Sequence, residues 1–121
     1  MLPPTIVVIS DDKIFTALLT AHLHSKGYIV RSFATSATGI AECKQHPPDL
    51  ALLNYATFAD LPDSYTACTD LRRQYPALPL ILVTPNHGEA LRVGASAWFD
   101  VVFNIEHIAT EIDALLHRSA S

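Results

Sequence analysis

With 121 residues, half of them hydrophobic, and a mean hydropathy of +0.25, the chain can bury one core without disulfides or metals and is too apolar for disorder. Its formal charge of −4 and scattered Lys and Arg, of which only Arg72 and Arg73 adjoin, argue against a direct nucleic-acid footprint. No apolar run approaches the roughly 20 residues of a membrane helix, and Met1-Leu2-Pro3-Pro4 lacks a basic signal region, so a cytoplasmic protein without membrane contact is expected.

Thr5 to Ser10 is β-branched and apolar, the pattern of a central buried strand, and Asp11 and Asp12 follow at its carboxyl end. Ile14, Phe15, Leu18, Leu19 and Leu23 recur at helical spacing up to Gly27, with Asp12 or Asp11 as cap. Tyr28 to Phe33 reads as a second strand. A helix over 37–46, capped by Ser36 or Thr35, stops at Pro47-Pro48. Leu50-Ala51-Leu52-Leu53-Asn54 is a wholly apolar run that ends in an amide, as suits a strand buried on both faces.

An irregular stretch is expected over 55–64, then a helix through Tyr65, Cys68, Leu71, Arg72 and Tyr75 that ends before Pro76. Leu80 to Thr84 is a fourth strand, and Glu89 to Val93 allows only a turn or two of helix before Gly94. Ala97 to Val102 is a fifth strand, and Asn104 caps a last helix carrying Ile105, Ile108, Ile112, Leu115 and Leu116. Strand alternating with helix five times predicts one α/β domain with a parallel, doubly wound sheet, core about 5–118, with 119–121 a tail or the start of a linker. Ligands of such sheets bind beyond the carboxyl ends of the strands, where Asp11, Asp12, Asn54 and Thr84 would gather.

Together these residues resemble the receiver domain of two-component response regulators. Asp11-Asp12 is similar to its acidic pair, Pro48 to Leu53 to the approach to its phosphoacceptor, and Thr84 and Trp98 to its switch residues. Gly94-Ala95 stands before the fifth strand as in that family. The resemblance implies a flavodoxin-like (βα)5 three-layer sandwich with strand order 2-1-3-4-5, here with a shortened fourth helix. It also implies an aspartate at the position of Asn54, a Mg²⁺ ion beside it, and a lysine at the position of Val101. An amide has no anionic oxygen with which to attack a phosphoryl group, and Val101 carries no charge. The expectation is therefore a degenerate pseudo-receiver: a protein-interaction module in signalling that works without phosphorylation, and not an enzyme. The alternative is a sensor of a small, possibly redox-active, ligand.

Asp11 and Asp12 could still hold Mg²⁺ weakly; otherwise they cap a helix, and no other cofactor is expected. The partner would be another signalling protein or an output domain, or a second copy through the altered face of the fourth and fifth helices. Trp98 is as well explained by covering the sheet edge as by anchoring a partner. Asp100 shows no partner and has no role. Cys43 and Cys68 read as reduced core residues, and the six histidines, without ligand spacing, as surface groups.

Overall fold

The computed structural model describes residues 2–54, 61–100 and 104–120. Five strands, β1 (Thr5–Ile9), β2 (Ile29–Phe33), β3 (Leu50–Asn54), β4 (Leu80–Val83) and β5 (Ala97–Phe99), form one parallel sheet in the order β2-β1-β3-β4-β5. Between and after them run α1 (Lys13–Ser25), α2 (Ser36–Gln45), α3 (Leu61–Gln74), α4 (His87–Arg92) and α5 (Ile105–Ala120). This is the flavodoxin-like (βα)5 arrangement, with a fourth helix of only six residues. None of the described helices is long and apolar enough to cross a membrane.

The central strands β3 and β4 are buried at every residue, because helices cover both faces of the sheet, and Asn54 at the end of β3 is their only polar residue. On one face Phe15, Leu19 and Leu23 of α1 and Ile108, Ile112 and Leu115 of α5 pack on Ile6, Val8, Leu50, Leu52 and Ile81. On the other, Ile40 and Cys43 of α2, Cys68 and Leu71 of α3 and Ala90 of α4 pack on Val7, Ile9, Leu53 and Leu82. Cys43 and Cys68 are buried thiols within that second core, neither in a disulfide, and burial pushes Cys43 up to about 11 despite the opposing Arg31 charge.

Helix ends follow local chemistry. Asp12, not Asp11, caps α1, its Oδ1 accepting from Phe15 N at 3.0 Å. Thr35, not Ser36, caps α2; Ser36 is the first helical residue and is buried. Asn86 caps α4 through Glu89 N, so that helix starts two residues before the sequence suggested. Asn104 Oδ1 accepts from Glu106 N at 2.7 Å, as expected for the start of α5. Gly27, at φ 91°, ends α1 in a conformation that side chains disfavour.

Further boundaries depart from the sequence reading. The helix α3 begins at Leu61 rather than after Ser64, because Pro62 falls in a first turn whose amides need no intrahelical acceptor. Residues 61–64 of the stretch expected to be irregular are thus helical, and 55–60 lie outside the described residues. The strand β5 ends at Phe99, so Asp100 is not in it; 101–103 lie outside the described residues. Thr84 and Tyr28 stand just outside β4 and β2, where the ladder pairs cease.

Two polar clasps hold the helices. Arg72 reaches from α3 to four carbonyls, donating from Nε to Gly94 O at 3.1 Å and from Nη1 to Tyr75, Pro76 and Leu78 O at 3.3, 2.9 and 2.6 Å. Asp113 on α5 accepts from Lys26 Nζ at 2.7 Å and from the Tyr28 hydroxyl, tying α5 to the exit of α1. Burial, then the Asp113 bond and charge, pushes Tyr28 up to about 12.

Candidate functional site

The register pairs Ile9 of β1 with Leu53 of β3, so the next residues, Ser10 and Asn54, meet at the carboxyl edge of the sheet. Both are almost fully enclosed, at 5% and 1% exposure. Asn54 Nδ2 donates to Ser10 Oγ at 3.1 Å, and the same oxygen accepts from Asp12 N at 3.1 Å. A buried amide must satisfy its donors, and each such bond contributes about 1 kcal/mol net. Ser10 was missed in the sequence because it reads as the last residue of a strand. The available signal was that two adjacent apolar runs, 6–9 and 50–53, each end in a small polar residue.

The acidic pair is divided by the fold. Asp12 is half-buried and its Oδ1 is committed to the α1 cap, whereas Asp11 is exposed and lines a groove of about 610 Å³ between α1 and β2. Thr84 is fully buried one step beyond β4; its Oγ1 accepts from Asn86 N at 3.1 Å, which positions the start of α4. Trp98, 37% exposed on the edge strand β5, lies 6.1 Å from the His87 ring at a tilt of 48°. His87 Nε2 is 3.9 Å from Asp100 Oδ2, so Asp100 does have a partner, which the sequence could not show because the two are brought together only by α4 packing on β5. Asn54, Ser10 and Asp12 are thus linked by hydrogen bonds, Asp11 lines the groove beside Ser10, and Trp98 stands on the edge strand. Val101 lies outside the described residues.

The resemblance brought with it a Mg²⁺ ion, which the Asn54–Ser10 pair at the ends of β3 and β1 does not fit. A hard cation of this kind takes carboxylates, carbonyl oxygens and water. Here the group that Asn54 turns toward Ser10 is an N–H donor, and the inner partner is a hydroxyl. Among the described residues no group of three His, Cys, Asp or Glu side chains could hold a metal.

A parallel doubly wound sheet with polar residues gathered where the first and third strands end defines an open α/β class whose candidate site lies at the switch point of the sheet. The chain belongs to the response regulator receiver domain family, which it matches over residues 6–112; such domains are signalling modules of two-component systems rather than enzymes. In fold it is similar to a CheY-like receiver domain protein from Methanospirillum hungatei JF-1, with a TM-score of 0.86 at 20% identity, covering 98% of this chain and 97% of that one. It is also similar to the receiver domain of Francisella response regulator 1452, with a TM-score of 0.84 at 18% identity over 96% and 98% of the two chains. The DNA-binding dual master transcriptional regulator RpaA of Synechocystis is 28% identical over 125 aligned positions, which cover 96% of this chain and 50% of that protein. The chain therefore spans about half the length of that relative.

Proposed function

We propose that this receiver domain signals without being phosphorylated, through protein contacts that are constitutive or set by a partner. The observation that carries this reading is Asn54, which occupies the carboxyl end of β3, 1% exposed and hydrogen-bonded to Ser10. A phosphoacceptor needs an anionic oxygen and access to the phosphodonor; the amide has neither. The apolar Val101 at the family's lysine position supports the same reading, since no cation is offered to a phosphoryl oxygen. Partner recognition is supported on the side of α4 and β5, where Leu91 and Trp98 are 64% and 37% exposed. The partner is another signalling protein, an output domain, or a second copy of this chain.

Incubation with acetyl phosphate and Mg²⁺ followed by intact-mass measurement tests this. No phosphoryl adduct is expected on the native chain. An adduct lost on mild alkaline hydrolysis, as an acyl phosphate is, would overturn the reading.

A further inference from the structure

Three hydrogen bonds run in series from the end of β3 to the first turn of α1. Asn54 Nδ2 donates to Ser10 Oγ, Ser10 Oγ also accepts from Asp12 N, and Asp12 Oδ1 accepts from Phe15 N. Every residue side chain in the series is neutral except the capping Asp12, and Ser10 and Asn54 are at least 95% enclosed, being 5% and 1% exposed. We propose that this Ser10–Asn54 bridge takes the structural place of a divalent cation, joining the ends of β1 and β3 directly and making the domain's stability independent of metal. The inference rests on the reading of the chain as a phosphorylation-independent receiver and gives that reading its internal cause.

The argument is one of charge and of satisfied donors. Two carboxylates at these positions would stand at hydrogen-bond distance in a closed site, where like charges cannot both ionise without a compensating cation. A hydroxyl and an amide need none. Admitting a cation to the present site would require Asn54 to turn its Oδ1 inward and give up Ser10, leaving a buried N–H₂ without that acceptor. The neutral bridge and the metal are therefore alternatives at the same place.

Thermal unfolding of the full chain, in EDTA and in about 10 mM Mg²⁺, separates them, because only a native state that binds the ion gains stability from it. The native chain is expected to melt at one temperature in both buffers. Ser10→Ala should melt lower in both, with no response to Mg²⁺. Ser10→Asp with Asn54→Asp should melt lower in EDTA and recover by several degrees in Mg²⁺; if it does not fold in EDTA, Asn54→Asp alone gives the same comparison. A rise of the native melting temperature in Mg²⁺, or saturable Mg²⁺ shifts of the Ser10, Asp12 and Asn54 amide resonances, overturns the inference. So does the absence of any Mg²⁺ response in both acidic variants, since something other than the neutral pair would then bar the ion. Mg²⁺ binding by the native chain without phosphoryl uptake removes this inference alone; phosphoryl uptake removes the proposed function itself.

Discussion

Gly39 offers a direct measure of how closely α2 lies on β1. A Cβ added there would stand 2.4 Å from Ile9 Cγ1, 2.5 Å from Cδ1 and 3.3 Å from Cγ2. Carbon atoms are at rest about 3.5–4.0 Å apart, so Gly39→Ala requires a displacement of about 1 Å. Ile9 is fully enclosed between α2 and β3 neighbours and has no empty side to move into. Overpacking of a closed core costs about 1–3 kcal/mol, and this contact belongs at the upper end. Alanine in place of a mid-helix glycine returns about 1 kcal/mol. The net expectation is a loss of about 2 kcal/mol, or a melting temperature lowered by roughly 8 °C for a domain of this size. Urea unfolding followed by circular dichroism measures it, with an unchanged denaturant slope showing that only stability has moved. The double variant Ile9→Ala with Gly39→Ala should be less destabilised than the two singles added together by more than about 1 kcal/mol, because the methyl then fills the space the isoleucine vacated. A Gly39→Ala protein as stable as the parent, or strictly additive singles, would refute the close approach.

The Asp113 clasp predicts a change on the acid side. Burial alone would raise this carboxyl, but the hydrogen bonds from Lys26 and Tyr28 and the charges of Lys26 and His117 outweigh it and hold it below its ordinary value. A depressed folded value means stability that is present above the unfolded carboxylate pKa of about 3.9 and lost as the pH falls through the folded one. Asp113→Asn should therefore flatten the acid limb of the stability curve by less than about 1 kcal/mol, the pair being partly open to solvent, and leave the curve's shape at neutral pH unchanged. Arg72→Ala should cost about 2–3 kcal/mol in urea unfolding, since the α3 exit and the turn at Gly94 lose their shared donor. Arg72→Lys should restore less than half of that, because an ammonium cannot span four carbonyls as the planar fork does.

The sequence showed the sheet well because its central strands leave little choice: residues 50–53 and 80–83 are apolar at every position, and only burial on both faces accounts for that. It showed the caps at Asp12, Thr35 and Asn104 as pairs or single candidates, and geometry chose between neighbours. It did not show Ser10, whose role exists only because β1 and β3, 44 residues apart along the chain at the Ser10–Asn54 contact, lie side by side. Likewise, Asp100 and His87 are separate residues until α4 settles on β5. Asn54 was legible as an amide at a strand end. That its nitrogen faces a hydroxyl rather than a cation belongs to tertiary structure.

The sheet also acts as a partition. Side chains of alternate residues along β1 and β3 go to opposite sides, and the two clusters they enter share no residue. An opening that lifts α1 and α5 need not disturb the packing beneath α2, α3 and α4, so the domain is expected to exchange its amides in two cooperative blocks. For a signalling module this separates two inheritances. The surface beside α4 and β5 can be rewritten for a new partner while the opposite layer, anchored by Asp113, keeps the molecule folded.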